Sequence, residues 1–66
     1  MCEANAYLKQ SGNEQLMVME NVHHLKPENG KLLLENIFGE QKLIDAEIDH
    51  ISLMEHKIIL QPKEIP

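Results

Sequence analysis

Cys2, the only cysteine of the chain, is the residue with the clearest chemical potential. Removal of Met1 would leave a free α-amine and a thiol on adjacent carbons, and a metal deprotonates both groups easily at neutral pH. These two groups close an N,S chelate ring, to which the backbone amide of Glu3 can add a third donor. Planar sets of thiolate and nitrogen suit Ni(II) or Cu(II), whereas tetrahedral sets suit Zn(II). Two chains related by a two-fold axis would supply two such pairs; the alternative is that Cys2 is an inert small hydrophobe.

The four histidines are the other candidate ligands. His23 and His24 are adjacent, so on a regular strand they point to opposite faces and cannot share an ion without a kink. His50 follows Asp49, and His56 falls in a predicted hairpin loop. No His-x-x-His or Cys-x-x-Cys spacing gives a zinc signature, so we expect each histidine to be an exposed or half-buried structural residue.

The sequence shows no motif for catalysis or phosphate binding. Its acidic residues crowd one stretch without the spacing of a calcium loop, and its glycines are scattered turn residues. Neither Ser11 nor Ser52 lies in the context of a hydrolytic nucleophile. An amino-terminal cysteine also begins the glutamine amidotransferases, but their much larger domain and its Arg, Asn and Gly-Asp contacts are missing here. We therefore expect a protein that is not an enzyme.

Composition and charge limit the classes of partner that the protein can be expected to bind. Six lysines and no arginine stand against 11 acidic residues, for a net charge of −5, which argues against nucleic acid and anionic membranes as partners. A chain of 66 residues forms one small domain with a marginal core, and this favours a homodimer. The first residues lack the features of a secretory signal, no apolar run could span a membrane, and a lone thiol fits a reducing compartment, so we expect a cytoplasmic protein.

Apolar spacing predicts strands in the first half of the chain. A first strand turns three alternating apolar side chains inward, namely Ala4, Ala6 and Leu8. After a turn at 11–13, the strand over 14–20 is apolar on both faces, with Leu16 and Val18 on one side and Met17 and Met19 on the other. This pattern indicates core on one face and a partner surface on the other. A third short strand is expected over 22–26.

The second half continues in the same way. A Pro-Glu-Asn-Gly turn at 27–30 precedes a buried strand at 32–34, and residues 36–39 break it. We predict one strand over 40–51 in preference to a helix, with one face formed by Ile44, Ala46, Ile48 and His50. A hairpin loop at 53–57 leads to a last strand at 58–60. The fold class is all-β: an antiparallel meander of five to six strands rolled into an SH3/Sm-like barrel, with one domain over 1–61 and a tail over 62–66.

Four segments carry a resemblance that spans nearly the whole chain, about residues 1 to 61. They are Met1-Cys2-Glu3-Ala4-Asn5-Ala6-Tyr7-Leu8, Met19-Glu20-Asn21-Val22 with the proline turn after it, Leu33-Leu34-Glu35-Asn36-Ile37-Phe38-Gly39-Glu40 and Leu53-Met54-Glu55-His56-Lys57-Ile58-Ile59-Leu60. The specific parts are the cysteine at position 2 and the Leu-Glu-x-hydrophobic-Phe-Gly-Glu segment. On these residues the chain resembles the CooT family of small nickel-binding accessory proteins of carbon monoxide dehydrogenase maturation.

The resemblance implies a small homodimeric β protein in which Cys2 takes part in Ni(II) binding and a nickel enzyme is the client. We therefore expect a nickel metallochaperone or store with Cys2 and the Glu3 backbone amide as metal ligands. Some family members have been labelled predicted RNA-binding proteins, so an RNA-binding or protein-interaction module is the alternative. The acidic charge, the missing arginine and the two aromatic residues count against RNA.

Overall fold

The computed structural model describes residues 3–63, which form six strands and no helix. The strands are β1 (Ala4–Lys9), β2 (Gln15–Glu28), β3 (Lys31–Asn36), β4 (Gln41–Ile44), β5 (Ala46–Ser52) and β6 (Lys57–Pro62). They form one sheet in the order β4-β3-β2-β1-β6-β5. The predicted all-β class is confirmed. Within residues 3–63 no helix is long and apolar enough to cross a membrane.

The topology of the sheet differs from the predicted antiparallel meander. β1 and β6 are parallel, with Ala6 paired to Ile58 and Leu8 paired to Leu60, so the sheet is mixed. Local alternation cannot reveal this pairing, because it joins the two ends of the domain across all the intervening strands. The hydrogen-bonded sheet is not closed, since β4 and β5 are its edge strands. It rolls far enough that β3 and β5 contact each other, which leaves a partly closed barrel.

β2 is one strand of 14 residues, not the two short strands predicted over 14–20 and 22–26. Its first half pairs with β1, and its second half, from Val22 onward, pairs with β3. Register shifts interrupt both ladders, and Asn21 has a φ of 55° at the point where the partner changes. β-Bulges bend a strand and increase its twist, so β2 can continue from one half of the sheet into the other. The predicted break is therefore a bend within the strand.

The predicted strand over 40–51 is divided at Asp45 into β4, which pairs with β3, and β5, which pairs with β6. The single inward face predicted for this strand is present only in its first part. Ala46 is buried and Ile44 is half-buried, but Ile48 and His50 are exposed. A register shift lies between Ile48 and His50, and it disrupts the regular alternation on which the prediction depended.

The core lies between the two halves of the rolled sheet and is entirely aliphatic apart from one methionine. Its buried members are Ala6, Met19, Val22, Leu32, Leu34, Ala46, Ile58 and Leu60. Ala4 and Leu8 pack against this cluster, so the predicted inward face of β1 is confirmed. In the predicted two-faced strand, Leu16 and Met17 are both exposed and Met19 enters the core, because a register shift near Val18 interrupts the alternation.

Candidate functional site

The start of β1 is the part of the described structure nearest to the predicted metal ligands. Cys2 lies outside the described residues, so the structure does not test it as a ligand. Glu3, whose backbone amide is the other predicted donor, is half-buried immediately before β1. What the structure describes at this end of the domain is the set of residues that hold the start of β1 in place.

Asn5 connects the start of β1 to two other segments. Its backbone N–H donates to the carbonyl oxygen of His56 at 2.9 Å, in the turn between β5 and β6. Its side-chain Oδ1 accepts a hydrogen bond of 3.1 Å from the backbone N–H of Asn21. Asn21 in turn accepts a hydrogen bond of 3.0 Å from Ile37 through its carbonyl oxygen. One asparagine side chain thus links β1 to the bend of β2 and, through it, to the turn between β3 and β4.

The turn between β3 and β4, residues 36–40, is organised by a buried side chain. Asn36 is 4% exposed, and its Oδ1 accepts hydrogen bonds from the backbone N–H groups of Phe38 and Glu40, each at 3.0 Å. Its Nδ2 donates to Oε1 of Glu40 at 2.7 Å. Gly39 has a φ of 85°, in the left-handed region that glycine adopts without steric cost. The result is a firmly bonded turn that leaves Phe38 72% exposed.

The turn between β5 and β6, residues 53–56, is built with much less internal bonding. It has one backbone hydrogen bond of its own, from His56 N–H to the Leu53 carbonyl oxygen at 3.3 Å, and His56 has a φ of 56°. Leu53 is 82% exposed and Met54 is 95% exposed. These two side chains are neighbours in sequence, so together they form a small apolar surface. The start of β1 therefore lies between two turns that present apolar side chains to solvent.

The histidines fall into three different environments. His50 is exposed, and its Nδ1 lies 2.7 Å from Oδ2 of Asp49. This hydrogen bond, together with the charge of Lys9 at 3.6 Å, holds the pKa of Asp49 below its ordinary value. His56 lies in the β5–β6 turn, as predicted. His23 and His24 are exposed next to each other on β2, and their ring centroids are 6.4 Å apart.

Within residues 3–63 no group of three or more His, Cys, Asp or Glu side chains is arranged to hold a metal ion. Sequence reasoning did not identify the asparagines that hold this end together, Asn5, Asn21 and Asn36. A usable signal was present, because asparagine tolerates left-handed backbone and often bonds to backbone groups in turns.

The fold and this end of the molecule define a small all-β domain that exposes apolar side chains in the two turns beside its first strand. A family model described as CooT, CO dehydrogenase accessory protein CooT, matches residues 1–61. The chain belongs to the CooT family, which confirms the resemblance found in the sequence.

A solved structure supports the same assignment. It is described as "putative CooT from Carboxydothermus hydrogenoformans" and is 40% identical to this chain. The alignment covers 96% of this chain and 100% of that one, with a TM-score of 0.88. No curated protein matches the chain. The chain is therefore similar to that protein in both fold and length.

Proposed function

We propose that this chain is a non-catalytic accessory protein that binds Ni(II) at its amino terminus as a cytoplasmic homodimer and supplies it to a carbon monoxide dehydrogenase. The observation that carries the proposal is the match to the accessory-protein family over residues 1–61, a range that includes Cys2. Family membership supports an auxiliary role. The metal, the dimer and the transfer step are the parts that we add from the chemistry of the terminus and the surface around β1.

The proposed donors are the Cys2 thiolate, the α-amine that removal of Met1 exposes, and the backbone amide of Glu3. This set fits Ni(II), because thiolate and nitrogen donors in a plane suit that ion. Binding also requires loss of protons from the thiol and the amine, so affinity is expected to fall at acidic pH. The metal is cargo in this proposal, and the protein's task is to hold and release it.

The dimer follows from the number of thiols and from the exposed surface. One chain has one cysteine, so two sulfur ligands require two chains. The turns beside β1 expose Ile37, Phe38, Leu53 and Met54. Burying such side chains against a second copy would stabilise the dimer, since each fully buried large apolar side chain contributes about 1.5–3 kcal/mol. A contact between these surfaces would bring the two amino termini close together.

Calorimetric titration of the native-terminus chain with Ni(II) tests the proposal. We expect Cys2→Ala to abolish measurable high-affinity binding, because it removes the only thiolate. One extra residue before Cys2 is a sharper variant: it keeps the thiol but separates it from the terminal amine, so affinity should fall while some binding remains. His50→Gln is a matched surface control and should bind like the unmodified chain. Equal Ni(II) affinity in the unmodified and Cys2→Ala proteins would refute the proposal.

A further inference from the structure

We propose that the outer edge of the first half of β2, residues 15–20, is a docking site for an extended segment of a partner protein that carries both apolar and basic side chains. The partner segment would add a strand to the sheet, a mode of recognition in which main-chain hydrogen bonds give the affinity. The inference rests on the proposed function for the identity of the partner, a nickel enzyme, but the docking itself involves no metal. Three features support it: the free edge of β2, the groove beside that edge, and the charge of the groove.

The first half of β2 has a neighbouring strand on one side only. Its residues from Gln15 to Met19 pair with β1, whereas the ladder with β3 begins at Val22. The strand order places β3 on the other side of β2, so among the described strands none lies along the outer side of residues 15–20. An edge of this kind presents backbone N–H and C=O groups with which another strand can pair.

One lysine covers this edge without closing it. Lys42 of β4 donates a hydrogen bond of 2.9 Å from its Nζ to the carbonyl oxygen of Val18. Val18 has no cross-strand partner on β1, because the register shifts between Ala6 and Tyr7. Lys42 is exposed, so its amine can return to water when the backbone N–H of an added strand takes its place on this oxygen. The Val18 carbonyl therefore marks a point where an incoming strand can attach.

The two edge strands of the sheet are less suited to strand addition. β4 has only four residues, and β5 is interrupted by a register shift and carries Glu47 and Asp49. Short length, bulges and charges are devices that keep an edge from pairing. Residues 16–19 of β2 are instead all apolar, and two of them, Leu16 and Met17, are exposed. The first half of β2 is therefore the edge best suited to bind an extended chain.

A groove of about 720 Å³ lies beside this edge. Residues 17–20 of β2 line one side of it, and the β3–β4 turn and the first residues of β4 form the other. Met17 and Phe38 give the lining apolar surface, and Glu20 and Glu40 give it two carboxylates. Phe38 also belongs to the surface proposed for the dimer, but the rest of the lining does not depend on it. The groove thus offers apolar and acidic contacts next to free backbone groups.

The charge of the groove specifies the chemistry of the partner. Glu20 and Glu40 are exposed, and within residues 3–63 neither forms an ion pair. Lys42, the cation of this lining, has its amine on the Val18 carbonyl. The whole chain is acidic as well, with a net charge of −5. Complementary charge steers association and suppresses wrong partners, so we expect the docking segment to carry lysine or arginine beside its apolar side chains.

NMR titration of the full, metal-free, isotope-labelled chain tests the inference, with a capped hexapeptide of alternating lysine and valine as the probe. We expect changes in amide chemical shift confined to residues 15–20 and 38–42, and weaker binding at higher salt. The same peptide with N-methylated valines lacks half of its backbone donors and should bind at least about fivefold more weakly. No shift changes at millimolar peptide, changes centred on β5, or equal affinity of the methylated peptide would each overturn the inference.

Two charge variants with matched controls test the assigned surface. Glu20→Lys reverses a charge of the groove and should weaken peptide binding about fivefold, whereas Glu47→Lys, the same change on β5, should alter it less than about twofold. Lys42→Met frees the Val18 carbonyl and should strengthen binding about threefold, whereas Lys31→Met makes the same charge change at the start of β3 and should have a smaller effect. Equal effects within either pair would show only general charge attraction and would overturn the inference.

The peptide experiments also separate this inference from the proposed function. Cys2→Ala should bind the peptide like the unmodified chain, because no metal takes part. Absent peptide binding with intact nickel binding would overturn only the docking site, whereas peptide binding without nickel binding would overturn the proposed function and the identity of the partner. Dilution of the unliganded chain should not shift the amides of residues 15–20; a shift there would assign the groove to a second copy and overturn the inference.

Discussion

The two turns beside the start of β1 both expose apolar side chains, but they differ in how many hydrogen bonds hold them together. The β3–β4 turn is fixed from inside by Asn36, whose buried side chain makes three hydrogen bonds. The β5–β6 turn has one backbone bond of 3.3 Å, and its apolar side chains are almost fully exposed. One turn holds the fold together near the amino terminus, and the other is suited to contact with a partner. This contrast predicts that substitutions of Asn36 and Gly39 act on stability, and that substitutions of Leu53 and Met54 act on association.

The largest expected effect is that of Asn36→Ala. It removes both acceptor bonds and the bond to Glu40, and it leaves a buried space, so we expect a loss of about 2–3 kcal/mol of unfolding free energy. Chemical denaturation measures the change. Asn36→Asp alone should also destabilise, because it faces the carboxylate of Glu40. Combining Asn36→Asp with Glu40→Gln restores a donor and should recover part of the loss; no recovery would contradict the assigned bonding pattern.

A smaller effect is expected from Gly39→Ala in the same turn. An added Cβ would meet no atom within 4 Å, so the cost is that of the left-handed backbone alone, about 1–2 kcal/mol. Gly39→Asn should cost less, because asparagine tolerates this conformation better than alanine. Thermal unfolding measures the difference in stability between the two variants. Equal stability of both variants and the unmodified chain would show that the turn does not need its φ of 85°.

Leu53→Ser combined with Met54→Ser should leave the stability of the domain within about 0.5 kcal/mol, because both side chains are already exposed. Its effect should appear in self-association: light scattering after gel filtration should show a larger monomer fraction than for the unmodified chain. Ile48→Ser changes an exposed apolar residue on β5 and serves as the control. A double variant that unfolds more easily but dimerises normally would reverse the roles assigned to the two turns.

The smallest effect concerns the surface contacts of Asp49. Its pKa is lowered in the folded protein by the hydrogen bond with His50 and the charge of Lys9. The carboxylate therefore contributes stability that is present above its unfolded pKa of about 3.9 and is lost as pH falls through the folded value. Asp49→Asn should slightly reduce the change in melting temperature between pH 6 and pH 3. An identical pH profile would show that the contact contributes nothing measurable.

Much of the strand content was predictable, because alternation and turn residues report local structure. The inward face of Ala4, Ala6 and Leu8 was predicted for this reason. The parallel β1–β6 pair was not, since it depends on contacts between residues about 50 positions apart. The bends at Asn21 and His23 were missed because a bulge has no periodic pattern. Cys2 remains a prediction. The bonds of Asn5 to His56 and Asn21 were not predictable either, because they join segments far apart in the chain.

A Ni(II) titration of the tag-free chain, followed by absorption and light scattering together, tests the central claim most directly. We predict a thiolate-to-nickel charge-transfer band that grows until one ion is bound per two chains, with dimer as the saturated species. Cys2→Ala should show neither the band nor the saturation. Nickel binding by the unmodified chain without a thiolate band, or the same titration curve for Cys2→Ala, would contradict the claim that the amino-terminal cysteine holds the metal.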